Sequence, residues 1–462
     1  MEKVKIGLEV HVQLTTNTKL FCGCSLKNIN KSEPNTAVCE TCLGHPGSKP
    51  RLNKKAIDYG MKIGLALNCK FPSEMFFSRK SYFYPDMSKN FQITQYEIPI
   101  AIKGHLMLGS KKIGIRRIQL EEDPAKLVHV GGMTPTKYTL IDYNRSGVPL
   151  CEIVTEPDFE TPKEARMFLQ KLSSILEYLN VYDSASEASM RVDSNISIAN
   201  GNRVEIKNIS GFKDVEKALN YEIIRQRNLV RRGKKVEQEA RGYDAIANTT
   251  ILQRTKEEEE EYGYIFEPDL TRIEIKKDKL KEMKKSLPEL PDQKLERYKK
   301  IIKQELAESI VTHPDLADTF EQVIKLVKPE LASVWFAGPL KKILNYSNLR
   351  LKDTGIKSEH MVKLLTMIEN KKITPRMAEL ILREMVKKPD HIDKLKEEVT
   401  RIEDENIIKD FVLKVLADNS KTVLDYKSGK KEAFEFLMGQ IMKQSKGRAE
   451  PRIVREILKK MI

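Results

Sequence analysis

The sequence predicts an α+β protein, with a strand-rich N-terminal part followed by all-helical domains. Up to about residue 280, short runs alternate between apolar and polar residues. The segment Ser286 to Asp292 then carries two prolines, and because proline ends helices and favours extended backbone, we expect a domain boundary there. Beyond it, Leu, Ile and Met recur at helical spacing among Lys and Glu. We expect domains over residues 1–287, 288–405 and 406–462.

Composition limits the classes of protein to which the chain could belong. Its 462 residues are too many for one hydrophobic core. The formal charge of +15, from 81 basic and 66 acidic residues, favours a polyanionic partner such as nucleic acid, with a Lys-rich proteome as the alternative. The sequence contains no apolar run long enough to span a membrane. Its N-terminus lacks a signal-peptide pattern, so the cytoplasm is the expected location.

The first element is predicted to be a strand with one buried face. Apolar residues alternate with polar ones at Val4, Ile6, Leu8, Val10, Val12 and Leu14. Because side chains two residues apart share one face of a strand, Glu9 and His11 lie together on the polar face. A carboxylate beside an imidazole on a rigid strand suits metal binding or proton transfer.

Four cysteines have the spacing of a zinc knuckle, at about residues 20–45. Cys22 and Cys24 are followed after fourteen residues by Cys39 and Cys42. Two such pairs suit tetrahedral zinc, and four thiolates would close the site, so the zinc is predicted to be structural. The alternative is four unrelated buried thiols. Cys69 and Cys151 have no such pairing and are interpreted as buried thiols.

Acidic residues collect on several predicted strands. Glu121, Glu122 and Asp123 end one of them. Residues 190–198 and 203–209 alternate around Asn200-Gly201 and predict a hairpin. A two-residue turn would pair Ile196 with Glu205 and mix the two faces of the strands. A three-residue loop with Gly201 left-handed would pair Asn195 with Glu205 and Asp193 with Lys207, and we favour it because it buries the apolar residues together.

These strands together predict a magnesium site. Its ligands would come from Glu9, His11, Glu121, Glu122, Asp193 and Glu205, with Lys and Arg nearby for phosphate. Surface salt bridges are the alternative for each residue taken singly.

The segment Ser78 to Asp86 mixes cations with aromatic residues. Such a stretch could hold a nucleotide or an acceptor end by charge and stacking. The alternative is an aromatic core strand flanked by surface charge. No phosphate loop or dinucleotide fingerprint is present in the sequence, so an ATP pocket would be of another kind.

Several long motifs resemble the family of B subunits of aspartyl/glutamyl-tRNA amidotransferase. They are KIGLEVHVQL from Lys5, FCGC from Phe21, CETCLG from Cys39, SRKSYFYPD from Ser78, LEED from Leu120, DYNRSGVPL from Asp142, EIVTEPD from Glu152, EIKN from Glu205, FLMG from Phe436 and KGRA from Lys446. The likeness covers nearly the whole chain. One departure is Gly263, which stands where the family usually has an arginine.

The resemblance implies a function in translation. The chain would belong to a heterotrimeric ligase, together with a glutaminase (the A subunit) and a small C subunit. It would use ATP and Mg²⁺ to phosphorylate the side-chain carboxylate of Asp-tRNA(Asn) or Glu-tRNA(Gln), and ammonia from glutamine would then form the amide. Zinc would be structural. The N-terminal domain would be the cradle-like catalytic domain, and the basic tail domain would bind tRNA.

The resemblance also implies roles for single residues. Catalysis would use Glu9, His11, Glu121, Glu122, Asp193 and Glu205, of which Glu9, His11, Glu122 and Glu205 would bind magnesium. Nucleotide or substrate would face Ser78, Arg79, Lys80, Tyr82, Arg191 and Lys207. Two alternatives are a non-catalytic, zinc-containing tRNA- or RNA-binding protein and a metal-dependent nuclease. A pure RNA binder has no use for acids on one face, because they repel phosphate.

Overall fold

The computed structural model describes residues 3–128, 138–186, 189–199, 201–255, 263–394 and 402–462. The strands in these ranges are β1 (Val4–Gln13), β2 (Glu74–Met75), β3 (Ser78–Ser81), β4 (Phe91–Thr94), β5 (Ala101–Leu108), β6 (Lys111–Glu122), β7 (Lys126–Val128), β8 (Leu140–Asp142), β9 (Pro149–Thr155), β10 (Met190–Ile198), β11 (Val204–Ile209), β12 (Glu239–Asp244), β13 (Thr249–Thr255), β14 (Tyr264–Phe266) and β15 (Ile273–Glu274).

Helices lie between these strands in the first part of the chain and form most of the remainder. They are α1 (Glu40–Leu43), α2 (Lys54–Ala66), α3 (Pro162–Tyr178), α4 (Phe212–Arg231), α5 (Lys277–Lys285), α6 (Pro291–Tyr298), α7 (Gln304–Ile310), α8 (Pro314–Val323), α9 (Pro329–Trp335), α10 (Lys341–Ser347), α11 (Leu351–Thr354), α12 (Ser358–Glu369), α13 (Pro375–Lys387), α14 (Glu405–Asp418), α15 (Ser420–Lys427), α16 (Glu432–Gln444) and α17 (Pro451–Met461). Short 3-10 helices cover Ile29–Lys31 and Pro389–Lys394, and a π-helix covers Phe336–Leu340. The predicted α+β class is confirmed.

The chain folds into two compact units, Met1–Leu290 and Pro291–Ile462. Pro291 is the first residue of α6, a position where the missing N–H of proline costs nothing. A further division of the helical unit near residue 405 stays a prediction.

Most strands of the first unit join one large sheet. Within the described residues its order is β13-β12-β11-β10-β1-β9-β6-β5. All neighbours are antiparallel except β11 and β12, which are parallel. The N-terminal strand therefore lies inside the sheet, between two strands that come much later in the sequence.

One face of this sheet is covered by helices. The predicted alternation in β1 is confirmed, because Ile6, Leu8, Val10 and Val12 are almost completely buried. They share a core with the apolar side chains of α2, α3 and α4. Burial of apolar side chains is the main stabilising contribution here. The polar residues of the same strands consequently face the opposite side.

The elements of the second unit are helices joined by short loops, with one isolated bridge between Ile402 and Ala449 in its described residues. Thr374 caps α13, since its hydroxyl accepts a hydrogen bond from Met377 N at 3.2 Å, and Pro375 occupies the first position of the helix. The last helices, α14, α16 and α17, enclose a small apolar core of their own. In the part of the chain that the structure describes, no helix is long and apolar enough to cross a membrane.

Candidate active site and metal centres

The polar face of the sheet collects acidic side chains around β1. Glu9 lies opposite Asp193 on β10, and His11 lies opposite Glu152 on β9. Glu152 in turn lies opposite Gln119 on β6. Since facing residues on neighbouring strands are about 5 Å apart, four strands contribute to one compact polar surface.

The first group on this surface contains His11, Glu121 and Glu152. Their potential ligand atoms lie within 4.8 Å of one another, and His11 Nε2 is 3.7 Å from Glu121 Oε1. Both glutamates are buried, whereas His11 is partly exposed. Gln119 Nε2 donates a hydrogen bond to Glu152 Oε2. One imidazole and two carboxylates fit a divalent cation such as Mg²⁺ or Mn²⁺.

Burial raises the pKa of both glutamates in this group. The pKa of Glu121 rises to about 7, first through loss of water and then through the negative charge of Glu152. The pKa of Glu152 also rises to about 7, through loss of water and the charge of Glu9. The positive charge of Lys80 acts in the opposite direction on both. A bound cation would relieve the same repulsion, so the pair suits a metal chemically.

A second group contains Glu9, Asp193 and Glu205. Their carboxylate oxygens also lie within 4.8 Å of one another. Asn195 Nδ2 donates to Glu9 Oε1 at 2.9 Å, and Lys207 Nζ lies 3.0 Å from Glu205 Oε1. The two groups share one sheet face, because Glu9 and His11 are two residues apart on β1.

A bulge between β10 and β11 changes the predicted register. Asn195 does pair with Glu205, as predicted. The expected pair of Asp193 with Lys207 is wrong, because the register shifts between Val192 and Ser194. Asn208 is left-handed, with φ 55°, and its N–H donates to Asp193 Oδ1 at 2.7 Å. The backbone of β11 therefore holds the Asp193 carboxylate in place.

The loop of this hairpin also differs from the prediction. Among the described residues of the loop, Ala199 is left-handed, with φ 51°, whereas Gly201 is not. The N–H of Gly201 donates to Ile198 O at 2.8 Å, which closes the turn. Asn200 lies outside the described residues.

Glu122 belongs to neither carboxylate group. Its carboxylate contacts Lys89 Nζ at 2.5 and 2.7 Å and accepts the N–H of Ile93 at 2.9 Å. Neighbouring residues of a strand point to opposite faces, so Glu121 and Glu122 cannot both face His11. The expectation that Glu122 joins the magnesium ligands therefore has no support in the geometry.

The segment after residue 77 divides into buried and exposed parts. Ser78 is buried and its hydroxyl donates to Glu97. Arg79 makes two hydrogen bonds to the buried Glu267, at 2.6 and 2.8 Å. Both contacts favour structural roles for these two residues, which were expected to face nucleotide.

Lys80 and the aromatic residues that follow are more accessible. The charge of Lys80 lowers the pKa of both Glu121 and Glu152. Tyr82 stacks on Tyr84 with ring centroids 5.9 Å apart, and Phe83 is 82% exposed. Exposed rings argue against an aromatic core strand and leave a surface on which a base could stack.

Arg191 is held by a buried aspartate. It lies opposite His11 on β10 and donates to Asp123 Oδ1 at 2.7 Å. Gln13 Nε2 donates to the other oxygen, Asp123 Oδ2, at 2.8 Å. The Asp123 side chain is fully buried, so these contacts compensate its charge.

The four predicted zinc ligands come together. The sulfur atoms of Cys22, Cys24, Cys39 and Cys42 lie within 4.8 Å of one another. The pKa of Cys42 is lowered to about 4, first by the hydrogen bond from Cys22 and then by the backbone N–H of Cys39 and the positive charge of Lys19. The pKa of Cys22 is raised. Lys19 is buried, with Nζ 3.4 Å from Cys42 Sγ. Four thiols converging on one point have the donor set of structural zinc.

The other two cysteines lie apart from this cluster. Cys151 is completely buried, as predicted, and burial raises its pKa. Cys69 is only partly buried, and loss of water raises its pKa to about 12. Both are consistent with unreactive thiols.

Glu152 is the site residue that sequence reasoning missed. It lies in β9, where all seven residues from Pro149 to Thr155 are buried. Such a strand lacks the alternation that marks a polar face. One signal for Glu152 was present in the sequence: a single charged residue inside an otherwise largely apolar run. Burying a charge is costly, so a charged residue in such a run often has a function.

Two family models match the chain. Residues 4–281 match the model described as the GatB/GatE catalytic domain. Residues 318–462 match the model described as the GatB domain.

Curated relatives are similar over nearly their full length. A protein of Methanosarcina barkeri, named as the B subunit of aspartyl/glutamyl-tRNA(Asn/Gln) amidotransferase, is 44% identical, over 98% of this chain and 97% of its own. Proteins of the same name from Methanospirillum hungatei and a Thermotoga species are 44% and 41% identical, each over 99% of this chain and 98% of their own. These matches confirm the resemblance that the sequence motifs predicted.

Proposed function

The chain belongs to the GatB/GatE family, and from that premise we propose that it is the B subunit of a glutamine-dependent tRNA amidotransferase. Its reaction would be the ATP-dependent phosphorylation of the side-chain carboxylate of Asp-tRNA(Asn), Glu-tRNA(Gln) or both. Amidation would follow, with ammonia from the glutaminase of a complex that also includes a small third protein. The observation that carries this proposal is the pair of carboxylate groups on one face of the sheet.

The chemistry requires activation of a poor electrophile. A carboxylate oxygen of the aminoacyl group attacks the γ-phosphorus of ATP, ADP leaves, and an acyl phosphate forms. Ammonia then attacks the acyl carbon, and phosphate leaves as the amide forms. Both anionic reactants must approach a face rich in carboxylates, so positive charge is needed there.

The residues of the polar face would divide this work. His11, Glu121 and Glu152 would hold one divalent cation, and Glu9, Asp193 and Glu205 could hold another. Bound Mg²⁺ supplies positive charge that stabilises phosphoryl transfer. Lys80 and Lys207, which lie beside the two groups, would add charge for phosphate. The four cysteines would hold structural zinc.

The tail of the helical unit would bind the body of the tRNA. In α17, Val454 and Leu458 are buried, whereas Arg452, Arg455, Lys459 and Lys460 lie exposed. Residues 429–462 carry nine basic residues and four glutamates. Contacts of this kind reach mainly phosphates, so affinity for tRNA would fall as salt rises.

The experiment that tests the function is amide formation by the complete complex. The chain, with its glutaminase and small partner proteins, would receive glutamine, ATP, Mg²⁺ and either Asp-tRNA(Asn) or Glu-tRNA(Gln). Amidated product in one or both reactions supports the proposal and identifies the substrate. Glu205→Gln should abolish product while tRNA binding persists. Bound tRNA with ATP untouched in the wild-type complex would instead indicate a non-catalytic RNA-binding protein.

A further inference from the structure

Lys19 is a buried lysine that forms no ion pair with a carboxylate within the described ranges of the chain. Its side chain is completely buried. Its ammonium group contacts Cys42 Sγ at 3.4 Å and Tyr143 O at 3.4 Å. A buried charge is costly unless an opposite charge lies beside it. Since the carbonyl group is neutral, the opposite charge has to come from the cysteine cluster.

Lys294 shows how the chain buries a lysine elsewhere. It is 6% exposed, and its Nζ lies 2.8 Å from Asp318 Oδ1 and 2.9 Å from Glu321 Oε1. Carboxylates therefore compensate the charge of that ammonium group. At Lys19, the ionisable side chain in contact with the ammonium is a cysteine, so the thiol cluster takes the place of those carboxylates.

A metal-loaded cluster would need such a counter-charge. The four cysteines must lose their protons to bind zinc. Four thiolates with one Zn²⁺ leave two negative charges, and Cys42 is only 3% exposed. The ammonium group beside Cys42 would offset one of these charges. Cys42 Sγ also accepts the N–H of Cys39 at 3.1 Å, which stabilises a thiolate in the same sense.

The contact between Lys19 and Cys42 is held by the loop that follows β8. Leu20 N donates to Gly147 O at 2.8 Å, and Ser146 Oγ donates to Cys42 O at 3.3 Å. Gly147 lies close to both side chains, because a Cβ there would be 3.4 Å from Lys19 Cδ and 3.6 Å from Cys42 Cβ. The stem of the lysine is therefore enclosed, unlike that of a flexible surface lysine.

We propose that Lys19 is the counter-charge of the zinc centre, and that its ammonium group stabilises the zinc-bound thiolates, above all that of Cys42. Removal of this charge should weaken zinc binding, because the ammonium interacts more strongly with the loaded cluster than with largely protonated thiols. It should also make Cys42 more reactive, because a thiolate without positive charge beside it is a stronger nucleophile. The inference rests on the proposed zinc site and is independent of the amidation reaction.

The test measures the zinc affinity of the purified full chain by competition with a chromophoric chelator. Lys19→Met removes the charge and keeps a long side chain, whereas Lys19→Arg keeps the charge. Lys27→Met is the matched control, because Lys27 lies shortly after Cys24 and is exposed. The rate at which N-ethylmaleimide, which alkylates thiolates, releases zinc is the second measurement. Cys69 and Cys151 lie outside the cluster, so their alkylation should release none.

Lys19→Met should bind zinc about tenfold more weakly, or less tightly still, as is usual when a group that supports a metal ligand is lost. It should also release zinc faster to N-ethylmaleimide. Lys19→Arg should recover most of the affinity, and Lys27→Met should match the wild type. Wild-type affinity and release rate in Lys19→Met would overturn the inference. A Lys19→Arg variant as weak as Lys19→Met would also overturn it, because the charge would then not be the cause.

A second comparison covers the case in which Lys19→Met fails to fold. Lys19→Gln against Lys19→Arg then decides, because glutamine keeps a hydrogen-bond donor and lacks the charge. Circular dichroism of the zinc-loaded variants verifies folding. A wild-type chain that binds no zinc would contradict the proposed zinc site itself, whether or not the complex forms amide.

Discussion

His11 Nε2 lies 3.7 Å from Glu121 Oε1, although their strands are not neighbours in the sheet. β9 lies between β1 and β6, and it contributes Glu152 to the space between the two residues. His11, Glu152 and Gln119 form one row across three strands. Glu121 lies two residues further along β6 and completes a three-sided group. This geometry makes Glu152 the central residue of the proposed metal site.

Glu152→Gln should reduce amide formation about a hundredfold or more, because it removes a charge from the metal group while keeping the size of the side chain. The measurement is the rate of amide formation by the complex at saturating ATP. Glu156→Gln is the matched control, since Glu156 follows β9, is 42% exposed and pairs with Arg116 at the surface. Equal rates for the two variants would exclude Glu152 from the site.

The metal-free protein should lose stability as pH rises from about 4.5 to about 7. Glu121 and Glu152 have a pKa near 7 when folded and an ordinary value of 4.5. Over this interval the folded state binds more protons than the unfolded state. The free energy of unfolding therefore falls as pH rises, by up to about 3 kcal/mol for each carboxyl. Above pH 7 the loss is complete.

Added Mg²⁺ should reverse this loss, and it should stabilise more at pH 8 than at pH 5.5, because metal binding requires deprotonated carboxylates. Hydrogen exchange of the β6 and β9 amides, with and without Mg²⁺, measures the effect. Stabilisation by Mg²⁺ that is equal at both pH values would contradict the assignment of these two glutamates.

Cys42→Ser should release zinc and destabilise the first unit, because a structural zinc site needs all four ligands. Metal analysis of the purified chain should find a single zinc in the wild type. Cys69→Ser is the control, since Cys69 lies outside the cluster, and it should keep its zinc. A wild-type chain that lacks zinc after purification without chelators would refute the prediction.

Asn208→Ala should destabilise the chain by about 1 kcal/mol, because alanine tolerates the left-handed conformation less well than asparagine. It should also slow amide formation, since the N–H of residue 208 positions Asp193. Asn208→Gly should retain most of the activity, because glycine adopts this conformation freely. Urea denaturation and amidation rates measure both effects; two equally active variants would show that the bulge does not position Asp193.

Arg79→Met should destabilise the first unit by about 3 kcal/mol, because it removes the charged partner of the buried Glu267 carboxylate and leaves it only the N–H of Asp269 among the hydrogen bonds of the described residues. The double variant Arg79→Met with Glu267→Met should recover most of that loss, since no buried charge is then uncompensated. KM for ATP in the double variant separates this structural role from the nucleotide contact expected from sequence. A large rise in KM with stability restored would favour the nucleotide contact.

Local patterns predicted much of the fold and part of the site. The alternation of apolar and polar residues predicted β1. Because its apolar residues had to be buried, Glu9 and His11 were predicted to share the opposite face. Cysteine spacing located the thiol cluster. The pairing of Asn195 with Glu205 followed from the need to bury one face of the hairpin. Each of these features depends on residues that are close in the sequence.

The features that the sequence patterns did not predict depend on contacts between different elements of the fold. The contact of Arg79 with Glu267 was not predicted, because the two residues lie 188 positions apart in the sequence. Glu152 was overlooked because β9 is buried on both faces and shows no alternation. The bulge at Asn208 depends on a side chain of the opposite strand, Asp193, which the pattern of one strand does not reveal.

The position of β1 has a consequence for synthesis of the protein. This strand leaves the ribosome before β9 and β10, and Asn195, which donates a hydrogen bond to Glu9, lies 186 residues further along the chain. Until β9 and β10 have been made, the apolar side chains of β1 lack the neighbours that cover them. Unpaired apolar strands promote aggregation. Truncated nascent chains that end before β9 should therefore depend on chaperones, and the acidic face forms only after most of the first unit has been translated.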